Sequence, residues 1–115
     1  MRETSGPVIL MGDIKEEIRD RGAWVEIECV EALNRAGHGR YRGAWKARVC
    51  TPTVSGEVIR ATHVTARGLA PRIFRTPFGL LSFAAELGSP ALRCPFLKGA
   101  VDVWTFETSR MPEGD

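Results

Sequence analysis

The sequence has little cysteine and little histidine, and neither is arranged for chemistry. Among 115 residues there are three cysteines and two histidines. Cys29, Cys50 and Cys94 are odd in number, widely separated and free of any CxxC spacing. That supports neither a disulfide framework nor a zinc site. Their plain reading is three small buried hydrophobes, with a redox or nucleophilic role for Cys50 or Cys94 as the alternative. His38 and His63 are the only candidate general bases with an ordinary pKa near neutrality. His63 sits between Thr62 and Thr65 in a strand-like stretch and reads as a structural, hydrogen-bonded residue. His38 lies among glycines, a poor place for precise catalysis. No Ser/His/Asp set, carboxylate pair or phosphate-cradling glycine loop has supporting context. Nothing in the sequence points to enzymatic activity, and no cofactor or metal is implied.

Long apolar runs are also missing. No stretch approaches the roughly 18 apolar residues of a membrane span. The run Pro7–Met11 is too short for a signal peptide and is followed by acidic residues. A cytoplasmic protein without a membrane partner is expected. Apolar residues make up 43% of the chain, which excludes wholesale disorder, and the length suits one domain, 1–115. Residues 1–6 and 109–115 are polar and expected to be loose.

What the chain has is an uneven distribution of charge. The net charge is only +2. Yet residues 1–34 carry four basic and eight acidic side chains, residues 35–75 nine basic and one acidic, and residues 76–115 three basic and five acidic. A basic block therefore stands between two acidic flanks.

Periodicity predicts the elements. Asp13 followed by Glu16 suggests a capping box opening a short helix, 13–21, that stops at Gly22. Ala23–Leu33 and Ala44–Thr51 alternate as half-buried strands. The glycine-rich stretch 34–43 between them reads as a loop, or as part of a long hairpin. Glu57–Arg67 is strand-like, with Arg60 breaking its alternation as a bulge would. Thr76-Pro77 is a cap followed by a proline at the first helical position. The helix it opens, 77–87, is apolar except for Gly79, Ser82 and Glu86, so it should show water only a narrow stripe. Gly99–Thr108 is a last strand. The expected fold is α+β: one two-layer domain, a mainly antiparallel sheet of about four strands with helix 77–87 packed on one face.

Two constellations follow. The face of the sheet away from that helix should carry Glu26, Glu28, Lys46, Arg48 and Arg60, together with Trp24, Trp104 and Phe106. Large aromatics on an open face suggest an interface, so the first functional reading is an interaction module in dimeric form, with acidic flanks of one copy meeting the basic centre of another. The second constellation is the basic loop. Arg35, Arg40, Tyr41 and Arg42, followed by Lys46 and Arg48, offer bidentate phosphate contacts and a stacking ring among glycines, which suits a nucleic acid or another polyanion. Cross-strand pairing of Lys46 and Arg48 with Glu26, Glu28 and Glu31 is the plain alternative for those two cations. Arg67, Arg72 and Arg75, ahead of helix 77–87, form a second basic group beside a helix N-terminus. A small-molecule pocket between helix and sheet is a third reading.

Overall fold

The computed structural model describes residues 6–112; the expectation of loose ends at 1–5 and 113–115 lies outside the described residues. One five-stranded sheet carries the fold, in the order β1-β4-β3-β2-β5. The strands are β1 (Val8–Ile9), β2 (Trp24–Arg35), β3 (Tyr41–Pro52), β4 (Val58–His63) and β5 (Val101–Trp104). The helices are α1 (Met11–Arg21) and α2 (Pro77–Leu87). The α+β single domain is as expected, but the sheet has a fifth strand and is mixed, because β1 runs parallel to β4. Among the described residues no helix is long and apolar enough to cross a membrane.

The two long strands set the layers. Val25, Ile27 and Cys29 of β2 and Trp45, Ala47 and Val49 of β3 turn to one face. Ile14 and Ile18 of α1, and Leu80, Phe83, Ala84 and Leu87 of α2, close onto that face. Each spacing is one or two helical turns, so each helix presents a stripe. Burying a Leu or Phe of this kind contributes about 1.5–3 kcal/mol. Lys15 of α1 reaches Glu86 of α2 at 3.7 Å. Phe83 is the aromatic centre, with His63, Phe74 and Trp104 ring centroids 5.3, 4.9 and 5.7 Å away.

Helix boundaries follow local chemistry. Thr76 Oγ1 accepts from the Gly79 N–H at 3.0 Å, Pro77 is the first residue, and Gly88 ends α2 at φ 84°. Gly22 ends α1 in the same left-handed conformation. The start of α1 corrects the sequence reading: Leu10, without a side-chain cap, precedes the helix, and Asp13 lies inside its first turn. There its carboxylate still opposes the positive end of the helix dipole.

Four further expectations are corrected. The stretch 34–43 is mostly strand: β2 runs to Arg35, β3 starts at Tyr41, and only a tight turn around Gly37–Gly39 separates them. Gly43 lies within β3, and a Cβ there would stand 2.7 Å from the Trp45 ring. β4 pairs with β3 in unbroken register, so Arg60 marks no bulge; the irregularities lie in β2, between Cys29 and Asn34. α2 buries only its stripe, leaving Phe78 and Leu81 exposed. Finally, Trp104 faces the helices, since it pairs with Val25, and Phe106 packs against the same core; of the three aromatics expected on the open face, only Trp24 is there.

Irregular segments are tied down by tryptophan. The Trp45 indole N–H donates to the Pro95 carbonyl and that of Trp104 to the Arg93 carbonyl, both at 2.7 Å. At the C-terminal end, Ser109 Oγ donates to the Ala23 carbonyl and the Arg110 N–H to that of Gly22, which joins residues 109 and 110 to the residues just ahead of β2. Residues 74–75 run beside β3: Trp45 and Phe74 exchange hydrogen bonds at 2.9 and 2.8 Å, and the Gly43 N–H donates to the Arg75 carbonyl at 3.1 Å. That pairing brings the N-terminus of α2 to the β2–β3 hairpin.

Candidate nucleic-acid interface

The hairpin turn is built by backbone freedom at two positions. His38 and Gly39 take positive φ, 66° and 75°, and the Ala36 N–H donates to the Arg40 carbonyl at 2.6 Å. Histidine tolerates this region better than most residues, and glycine does so freely. The turn therefore holds Arg35 and Tyr41 opposite one another, with the Arg35 guanidinium 5.8 Å from the centroid of the Tyr41 ring. His38 thus has a conformational role at the tip.

Between this hairpin and the start of α2 lies a groove of about 780 Å³, lined by residues 36–42 and by Thr76, Pro77 and Phe78. Two aromatic rings stand at it, Tyr41, 50% exposed, and Phe78, 73% exposed. Among the described residues no carboxylate lies within ion-pair distance of Arg35, Arg40 or Arg42. Arg75 enters the same neighbourhood through its backbone, though its guanidinium lies 3.5 Å from Glu31 with both side chains mostly in solvent. Such an exposed pair is worth at most about 1 kcal/mol and is readily exchanged. The positive end of α2 adds to the local potential.

Lys46 and Arg48 sit elsewhere electrostatically. Arg48 Nε and Nη1 donate to Glu26 and Glu28 at 3.2 and 2.8 Å. Lys46 stands 3.9 Å from Glu28, and Arg60 reaches Glu26 at 3.5 Å. The mid-sheet cations are thus matched by the acidic strand beside them. The second basic group is divided: Arg75 goes to the hairpin, Arg72 stacks over Phe74 at 4.6 Å, and Arg67 lies in an exposed turn. Trp24, Trp104 and Phe106 do not form one surface. Trp24 is buried on the open face, in a row with Cys50 and Arg60, while the other two face the helices.

Phe78 was not singled out by sequence. α2 is apolar on nearly all sides, so the sequence gives its phase no clear signal; packing of Leu80, Phe83, Ala84 and Leu87 is what leaves Phe78 outward.

The thiols have no reactive setting. Burial pushes Cys50 up to about 12 and Cys94 up to about 11, and raises Cys29 as well. A thiolate at neutral pH is disfavoured at each. Among the described residues no three His, Cys, Asp or Glu side chains gather as a metal-ligand set. Comparison of the chain with protein-family models, curated proteins and solved structures finds no significant match.

Proposed function

We propose that this protein is a small binding module for single-stranded nucleic acid, held at the tip of the β2–β3 hairpin. The observation that carries the reading is the groove with Tyr41 and Phe78 exposed beside it and Arg35, Arg40 and Arg42 without carboxylate partners among the described residues. A polyanion needs cations that are not already neutralised, and an unpaired strand offers bases that stack on exposed rings. Lys46 and Arg48 are left out of this reading, because Glu26 and Glu28 already hold them.

Fluorescence anisotropy with labelled single-stranded DNA, single-stranded RNA and duplex DNA tests it over a series of salt concentrations. Single strands should bind best. Three phosphate contacts at about 0.7 each give a slope of log K against log salt of roughly −2. Absence of binding at low salt, or a preference for duplex, removes the reading.

A further inference from the structure

Among the described residues, the ion pairs across the middle of the sheet leave unpaired charge at its two ends. At the end of β3 away from the hairpin tip, α1 and the β3–β4 turn frame a groove of about 760 Å³. Its α1 wall carries Asp13, Glu16 and Glu17, against one cation, Arg21, which lies 3.2 Å from Glu17. Glu17 also accepts from Thr51 Oγ1 at 2.8 Å, which holds α1 to the sheet there. The opposite wall is apolar: Val54 is fully exposed and Ile59 is 47% exposed. A fitting occupant is cationic and brings an apolar group.

The hairpin tip of this chain has that composition, with Arg40 and Arg42 flanking the exposed Tyr41. It cannot reach the groove of its own molecule. Arg42 and Thr51 stand nine residues apart on one continuous strand, about 30 Å at roughly 3.3 Å per residue, in a molecule whose long axis extends 48 Å. We infer that the groove between α1 and β4 receives the basic hairpin tip of a second copy, so that copies associate head to tail. Opposite charges on separate ends favour this pairing and oppose tip-to-tip or groove-to-groove contact. Such an interface is heterologous, so every added copy leaves one tip and one groove free, and growth stops only if a ring closes. The inference does not depend on nucleic-acid binding, but it uses the same tip, so an oligonucleotide and a second copy compete for it.

Sedimentation velocity of the full chain, from micromolar to several hundred micromolar and at low and high salt, tests this with two double variants. D13K/E16K makes the groove basic, and R40E/R42E makes the tip acidic; far-UV circular dichroism verifies that each is folded. The weight-average mass of the parent should at least double with concentration at low salt and return to the monomer value at high salt. Each variant alone should stay monomeric, and an equimolar mixture of the two should associate again, because each acidic surface then meets a basic one. A monomeric parent at low salt, a folded D13K/E16K that associates as the parent does, or folded variants that fail to associate when mixed each overturn the inference. Oligonucleotide binding is read on the same samples. Its retention in D13K/E16K, with association lost, separates this interface from the proposed function, and loss of oligonucleotide binding with association intact removes only the latter.

Discussion

Arg48 Nη1 donates to Glu28 Oε1 at 2.8 Å across the β2–β3 pair, while its Nε serves Glu26. This fork, with the pairs of Lys46 and Arg60 beside it, converts three of the nine cations of the basic block into internal pairing. Arg48 is 22% exposed and Glu26 15%, so the pairs lie between the surface limit, where ion pairs are worth little, and the buried limit, where breaking one is costly.

The first prediction is that R48Q separates stability from binding. Removing the guanidinium leaves Glu26 and Glu28 side by side on β2, held among the described residues by Lys46 and Arg60 alone, at a cost of about 1–2 kcal/mol. Thermal denaturation should show Tm falling by several degrees, while affinity for single-stranded oligonucleotide stays at the parent value. A loss of affinity without a loss of stability would return Arg48 to the binding surface.

The second prediction concerns the tip. Arg40 and Arg42 are exposed and have no carboxylate partner among the described residues, so R40A/R42A should leave Tm unchanged. Two lost phosphate contacts should flatten the salt slope by about 1.4. Y41A and F78A should each weaken single-strand binding by about 1–3 kcal/mol through lost stacking, with the slope unaffected. Anisotropy titrations at several salt concentrations read both effects.

The third prediction is that Gly43 and Gly37, both in the glycine-rich stretch, differ sharply. A Cβ on Gly43 meets the Trp45 ring at 2.7 Å and the Glu31 carbonyl oxygen at 3.1 Å. Trp45 cannot easily yield, being fully buried with its indole N–H bonded to Pro95. G43A should therefore destabilise by about 1–3 kcal/mol, the usual cost of overpacking. Gly37 has open space around it and no positive φ, so G37A should be neutral or slightly stabilising. Urea denaturation of both variants gives the contrast.

Legibility in the sequence tracked how local each feature is. α2 is read from both ends because Thr76-Pro77 and Gly88 are short-range signals that the structure uses as such. Its outward face was misread because a helix apolar on nearly all sides fixes no phase; packing chose Leu80, Phe83 and Leu87 and left out Phe78. Alternation likewise told which residues of the last strand share a face, but not which face turns inward. That was decided by the pairing of Trp104 with Val25. β1 is two residues long and is held by Thr62 and Val64 of a distant segment, so no local pattern could reveal its parallel pairing. At the candidate site, Arg35, Arg40, Tyr41 and Arg42 are neighbours in sequence and were found together. Phe78 joins them only through the bridge between Trp45 and Phe74.

The last prediction is a pH dependence from His63. Its ring is 2% exposed and lies stacked on Phe83, interplanar angle 5°. Nδ1 stands 3.4 Å from the Ile9 carbonyl oxygen, and Nε2 has no hydrogen-bond partner among the described residues. Burial chiefly, and the Arg72 charge in addition, hold its pKa below the ordinary 6.5, against the pull of the Ile9 carbonyl. The folded protein therefore binds this proton less readily than the unfolded chain does. Stability from the neutral ring is fully present above the unfolded value and is lost as pH falls below about 6.5 toward the folded value. Urea midpoints should drop between neutral pH and about pH 5, before most carboxylates titrate. H63F, which keeps an aromatic ring against Phe83 and cannot take up a proton, should flatten that part of the profile; an unchanged slope in H63F would assign the acid sensitivity to other groups.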